Sequence, residues 1–270
     1  MYVTTPTSIR EVRAPAVAGS FYPCDAVELE ADVRRYLAGA RGTTASPPKA
    51  VIAPHAGYVY SGPIAGSAFA PLASLRGRVA RVVVMGPAHR VAFSGLALPE
   101  AEAFATPLGV LRVDDAARSA LLELPRVRAS DRAHAGEHSL EVELPFVQVL
   151  LGDVTIVPIL VGDAADAEAA EALERVWGGP ETCVVVSSDL SHYCPYAVAE
   201  RLDGETARAI ERLAPGDIGD EQACGCIGVR ALLLVARARG LHAAALDVRS
   251  SGDTAGTPDS VVGYGAFAFA

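Results

Sequence analysis

Two histidines and an aspartate in this chain stand where an apolar run stops, with a third histidine close behind. VIAP (51–54) ends in His55, VVVMGPA (82–88) ends in His89, and VVVSS (184–188) ends in Asp189, with His192 three residues on. In open α/β sheets the carboxyl ends of the strands border the crevice where ligands bind. If the three runs are strands of one sheet, four titratable side chains face a single cleft. Each has a plainer reading, as a hydrogen-bonded rim histidine or as a helix cap. The shared topological position is what points to chemistry.

Cys224, in DEQACGCIGVRALLLVARARG, lies near the start of an apolar helix. The positive end of a helix favours thiolate, the form that binds metal or attacks, although small buried cysteines are also common core fillers. Two imidazoles and one thiolate (His55, His89, Cys224) suit a borderline divalent metal such as Fe(II), Cu or Zn rather than Mg or Ca. Three protein ligands leave coordination positions open, and His192, oriented by Asp189, is then placed to act as acid or base. Tyr58 and Tyr60 follow His55 and are expected to line the pocket or close its mouth. His138, with Glu137 and Glu141 in EHSLE, reads either as a residue beside the site or as a charged helix start. His134 shares that loop, and His242 reads as structural.

The elements that must position these residues alternate along the chain. CDAVELEADVRRYLAG reads as a helix capped by Asp25, with Glu28 completing a capping box and Gly39 as its stop. KAVIAPH (49–55), ARVVVMGPAH (80–89), GLALPE (95–100), VTIVPILVG (154–162), CVVVSSD (183–189) and VVGYGAFAFA (261–270) read as strands. Helices are expected over 63–74, 114–124, 165–177, 197–213 and 221–239, and over 139–152 with an irregular start near Pro145. Apolar runs without alternation imply strands covered on both faces. The expected fold is an α/β three-layer sandwich, with a mixed, largely parallel central sheet covered by helices on both faces. Residues 1–12 read as an arm and 13–270 as one domain.

With 270 residues, 51% of them hydrophobic and 20% charged, a sizeable core is within reach. A net charge of −9, with no basic run, argues against nucleic acid. No apolar run approaches the roughly 18 residues of a membrane span. MYVTTPTSIREV lacks the pattern of a secretory leader. Five cysteines, an odd number, favour reduced thiols and a cytoplasmic location.

RAPAVAGSFYP (13–23), APHAGYVYSG (53–62), GPAH (86–89), TPLG (106–109), EHSLEVELPF (137–146), IVPILVG (156–162), SSDLSHY (187–193) and ACGCIG (223–228) occur in an order that resembles the MEMO family, whose prokaryotic members are labelled AmmeMemoRadiSam system protein B. The resemblance runs from about residue 13 to the C-terminus. It implies a fold similar to class III extradiol ring-cleaving dioxygenases, which are non-haem Fe(II) enzymes. It places the family's metal site on His55, His89 and Cys224, and the dioxygenases' catalytic histidine on His192, with Asp189 in the same motif. A cysteine replaces those dioxygenases' glutamate ligand, so ring cleavage does not follow from the likeness. The chain also departs from the family in placing Cys226 beside Cys224, where it would perturb the site or serve as a redox partner.

The leading expectation is a metal-binding, dioxygenase-like redox protein with an unidentified substrate, associated by family with radical-SAM and AMMECR-type proteins. The alternative is a non-catalytic module binding a peptide or anionic ligand in the same cleft. A hydrolase built on Ser61 or Ser187 with Asp189 and His192 is a third reading, and no G-x-S-x-G elbow supports it.

Overall fold

Parallel strands need crossovers, and the chain supplies them. The computed structural model describes residues 11–270. In chain order it contains β1 (Val12–Arg13), α1 (Ala26–Ala38), β2 (Ala50–Ala53), α2 (Tyr58–Phe69), β3 (Arg81–Pro87), β4 (Leu96–Leu98), β5 (Ala103–Thr106) and β6 (Gly109–Arg112). There follow α3 (Asp115–Leu122), β7 (Val127–Ala129), α4 (Asp131–Ala135), α5 (Leu144–Leu151), β8 (Thr155–Val161) and α6 (Asp166–Val176). The chain closes with β9 (Thr182–Ser187), β10 (His192–Cys194), α7 (Tyr196–Glu211), α8 (Cys226–Ala238), β11 (Ala243–Ser250) and β12 (Val261–Phe269).

The large sheet runs β10-β12-β2-β9-β3-β8-β4-β7, with β11 also paired to β12. Its centre, β2-β9-β3-β8, is parallel; β12 and β4 flank it antiparallel. Side chains alternate across this centre. Val51, Ala53, Val82, Val84 and Val185 pack with α1, α2 and α5, while Ile52, Val83, Met85, Val184 and Val186 pack with α3, α6, α7 and α8. Strands buried on both faces explain the unbroken Val/Ile runs, and the three-layer α/β architecture is the expected one.

Register places the site. Ala53 lies opposite Ser187 on β9, and Met85 of β3 opposite Val186. His55, Asp189 and His89 each stand two residues beyond the end of a strand, and those strands are immediate neighbours in the order β2-β9-β3. The equal overhang brings the three residues to one edge of the sheet.

Several boundaries differ from expectation. The helix expected at 63–74 starts at Tyr58 and carries Pro63 inside it, ending in a 3-10 turn over Ala70–Leu75. Asp25 caps α1 through the amides of Val27 and Glu28. The 139–152 segment starts irregularly, as a 3-10 turn over Glu141–Glu143 before α5. The strands β10 and β11 and the β5–β6 hairpin were not anticipated. Of the expected arm, residues 1–10 lie outside the described residues, and Val12 pairs with Ala103 of a small sheet, β1-β5-β6. Among the described residues, no helix is long and apolar enough to cross a membrane.

The small residues of α2 let it approach α1 closely. A Cβ on Gly66 would lie 2.4 Å from the Tyr36 carbonyl oxygen, a backbone atom that cannot step aside. Gly66→Ala is therefore expected to destabilise the protein by about 1–3 kcal/mol, the usual cost of overpacking, despite alanine's better helix propensity. Urea denaturation checks this; an unchanged midpoint would show that the two helices can separate freely.

Candidate metal centre

The edge of the sheet opens into a cleft of about 760 Å³, lined by His55, His89, Arg90, His138, Asp189, His192, Tyr193, Cys224, Phe21 and Tyr60 among others. Three imidazoles meet in it, His55 buried, His138 half-buried and His89 exposed. His55, His89 and His138 each offer a ligand atom within 4.8 Å of the other two. Their ring centroids are 4.8–5.5 Å apart, and Phe21 stands 4.7 Å from His138.

His55 enters on the overhang of β2, where its amide donates to Asp189 Oδ1 at 2.8 Å. Its Nδ1 lies 2.7 Å from Ser187 Oγ, which is also 2.6 Å from the Ser139 carbonyl oxygen and 2.8 Å from Glu143 Oε1. A hydroxyl has one proton to give, and the Ser139 carbonyl can only accept. The consistent arrangement sends the Ser187 proton to Ser139 and brings protons to Oγ from His55 Nδ1–H and a neutral Glu143. Burial, reinforced by the charge of Asp189, pushes the Glu143 carboxyl well above its ordinary range, the Ser187 bond notwithstanding. Burial, then the neighbouring His89 and His138, pushes His55 well below the ordinary imidazole value. His55 is thus neutral, with Nδ1 protonated and Nε2 bare.

His89 is held by a different acid. Glu137 is buried, and its two oxygens accept from the amides of His89, Arg90 (3.2 Å), His138 (2.8 Å) and Ser139 (3.0 Å) and from His89 Nδ1 (3.1 Å). Burial alone would raise this carboxyl. The His138 and His89 rings and the Ser139 and His89 amides outweigh it and hold Glu137 well below the usual carboxylate range. His89 Nδ1 is spent on Glu137, which leaves Nε2 as the ring atom able to meet a ligand. His138 Nδ1 is 3.1 Å from Glu137 Oε1 but lacks the alignment of a hydrogen bond and is otherwise unpartnered.

Cys224 precedes α8 by two residues. Gly225 allows that approach, since a Cβ there would lie 2.7 Å from the Ser187 carbonyl oxygen. The Cys224 amide donates to the Asp189 carbonyl, the Asp189 amide points at Sγ (3.3 Å), and Sγ lies 3.3 Å from His55 Nε2. Tetrahedral coordination with ordinary metal–nitrogen and metal–sulfur lengths separates two such donors by about 3.6 Å, so the spacing suits a shared ion. The expected thiolate is not what the metal-free site favours. Burial, then Asp189, pushes the Cys224 thiol well up, and its proton faces the bare Nε2. A divalent cation would displace that proton.

The remaining candidates divide. His192 lies in the cleft, but its Nδ1 donates to the Leu190 carbonyl at 2.8 Å, so Leu190 rather than Asp189 orients it. Asp189 instead buttresses His55, and burial raises its carboxyl. Neither caps a helix, because β10 follows. Tyr60 lines the mouth at 40% exposure, whereas Tyr58 does not reach the cleft: it is 2% exposed, and its hydroxyl donates to the Val142 carbonyl inside the core. An earlier helix start turns Tyr58 inward. His138 belongs with His55 and His89, closer to the centre than expected. His134 donates Nε2–H to the Ala97 carbonyl, and burial lowers it to about 4; it is structural. Cys226 faces Asp220 at 3.6 Å, and all five cysteines are free thiols. Ser187 is buried beneath His55, and Ser61 donates to Ala56, so neither hydroxyl is presented to a substrate.

Sequence reasoning gave no role to Glu143 or Arg13, named Glu137 and Glu141 only as acids beside His138, and considered Ser187 only as a hydrolase hydroxyl. Arg13 Nη1 pairs with Glu141 at 2.6 Å, while its Nε binds the His134 carbonyl and its Nη2 the Glu137 carbonyl. Glu141 also accepts from the Ala16 and Val17 amides and the Tyr22 hydroxyl. This buried set clamps residues 13–22 to the loop that carries Glu137 and His138. A second cavity of about 270 Å³ shares Cys224 in its lining and is walled by Val91, Ala92, Phe93, Val161 and Ile227.

The chain matches the model of the Memo-like protein family over residues 13–268. It is 35% identical to a MEMO1 family protein of Sulfolobus acidocaldarius (94% of this chain, 97% of that one) and 36% identical to one from Ignicoccus hospitalis (96% and 98%). A homologue from Aquifex aeolicus is 33% identical over 94% of this chain and 97% of its own. A solved structure of an uncharacterized Escherichia coli K12 protein shares the fold at a TM-score of 0.50 and 16% identity, covering 80% of this chain and 98% of that one. The chain belongs to the Memo family.

A neutral Glu143 carries a pH signature. Its carboxyl is raised in the folded state, so the folded protein holds a proton that the unfolded chain releases above about pH 4.5. Glu143 therefore costs stability progressively as pH rises past that value. Glu143→Gln, which keeps a neutral donor, is expected to be more stable than wild type at pH 8 and equal to it near pH 4. Thermal midpoints across that range decide it, and a Gln variant less stable at pH 8 would show that Glu143 is ionised in place.

Proposed function

We propose that the cleft is a divalent transition-metal centre and the protein a dioxygenase-like redox enzyme, with Fe(II) as the first candidate metal and Cu or Zn as alternatives. The observation that carries this is the meeting of His55, His89 and His138 with a thiol 3.3 Å from His55 Nε2. Both His55 and His89 have Nδ1 committed to an acceptor, the support that metal-ligating histidines characteristically have. His55, His89 and Cys224 would hold the ion, with His138 as a fourth donor or as the residue facing an open position. Nitrogen and thiolate donors without a carboxylate suit these metals and not Mg or Ca.

When bound, such an ion supplies a Lewis acid with open positions and, if iron or copper, a redox couple. The protein's own residues supply the rest. His192, held through Nδ1 by Leu190, presents Nε2 to the cleft, where it can take a proton from a substrate hydroxyl and return it. Asp189 fixes the backbone of His55. Phe21 and Tyr264 wall the cleft and limit water.

Protein purified without oxygen is expected to carry about one equivalent of metal by elemental analysis. His55→Ala and His89→Ala should abolish it, and Cys224→Ala should weaken binding tenfold or more, with circular dichroism unchanged. His138→Ala separates its two roles, since a ligand's loss resembles that of His55. Stoichiometric metal surviving substitution of His55, His89 and Cys224 would sink the assignment.

A further inference from the structure

The cleft that holds the three imidazoles also carries polar groups that the metal reading does not use. Arg90 is the one permanently cationic residue among those lining it. It follows His89 directly, and its amide is pinned to Glu137 Oε2, so the root of its side chain is fixed beside the imidazole cluster. Its guanidinium has no carboxylate or carbonyl partner among the described residues, whereas Arg13, Arg81, Arg230 and Arg249 are all paired. The acids within the site are already engaged: Glu137 takes five donors, and Asp189, at the base, takes the His55 amide. On another wall, Ser251 Oγ accepts the Val262 amide, which leaves its own proton to give, and Ser260 adds an exposed hydroxyl. An unpaired guanidinium and two hydroxyls in one cleft, within a chain of net charge −9, form a local positive feature whose complement is an anion.

We propose that Arg90 is a specificity-determining residue that pairs with a carboxylate or phosphate group of a small molecule, holding the remainder of that molecule over His55, His89 and His138. Tyr60 and Tyr193, 40% and 78% exposed at the mouth, flank the entry. A planar guanidinium fork suits either oxyanion in two-pronged geometry. The inference rests on the cleft being the substrate site; it does not require that a metal be present.

The test titrates inorganic phosphate and benzoate separately into the full chain by calorimetry at low ionic strength, with and without added Fe(II) under anaerobic conditions. At least one probe is expected to bind. Arg90→Gln should weaken that binding tenfold or more, Arg90→Lys should retain part of it, and metal content should be unchanged in both variants. A response to phosphate alone or benzoate alone tells a phosphorylated substrate from a carboxylate. Equal binding by wild type and Arg90→Gln, or no binding of either probe in either metal state, overturns the proposal. Arg90-dependent anion binding in a protein that takes up no metal would uphold it and overturn the metal reading instead.

Discussion

Two of the three imidazoles at the site are gathered by one buried carboxylate. Glu137 accepts from four amides and a ring nitrogen, on two loops that also meet through the Ser139 hydroxyl on the Pro87 carbonyl and the stacked His89 and His138 rings. One loop leaves β3 and carries His89 and Arg90; the other follows α4 and carries His138 and Ser139. Burying a carboxylate is costly unless its lone pairs are filled, and here the filling is done by the backbone of the site itself. The charge that would destabilise an isolated acid becomes a tie between the two loops. Arg13 and Glu141 extend the same logic downward, because the Arg13 fork spans the Glu137 carbonyl, the His134 carbonyl and the Glu141 carboxylate.

What could be read from the sequence follows from where the information is local. His55, His89 and Asp189 were legible because a buried parallel strand leaves an unbroken apolar run, and its end is visible in the letters. Their convergence needed only that the strands be neighbours, which β2-β9-β3 satisfies. Tyr58 was misplaced because Pro63 suggests a helix start, and a shift of five residues turns a tyrosine from cleft to core. The bond from His192 to the Leu190 carbonyl was invisible because a main-chain acceptor leaves no trace in residue type. Asp189 was therefore paired with His192, its nearest titratable partner in sequence. Ser187 and Glu143 reach His55 only through tertiary structure. AAALDVRS lacked the β-branched density of the other strands, and it is a strand because it pairs along seven residues of β12, which β10 and β2 cover only at its two ends.

Electrostatically the site is assembled from groups kept neutral. His55 is too buried to protonate, Glu143 too buried to ionise, and the Cys224 thiol holds its proton. Glu137 is the exception, and it is the group with enough donors to remain charged. His55 thus keeps an unprotonated Nε2, which meets the Cys224 thiol proton that a divalent cation would displace. That is the state in which imidazoles coordinate, and it is reached through hydrogen bonding and burial rather than through any one unusual residue.

The Cys224 sulfur stands beside His55 in the polar cleft, and the same residue lines a second, mostly apolar cavity. Charged or hydrogen-bonding molecules approach that sulfur from the histidine side, past Arg90. Apolar molecules small enough for the second cavity approach the residue from the side of Val91 and Ile227 and need not cross the cleft at all. One residue thus borders two compartments of different polarity, and which reagents come near it depends on the compartment they can enter.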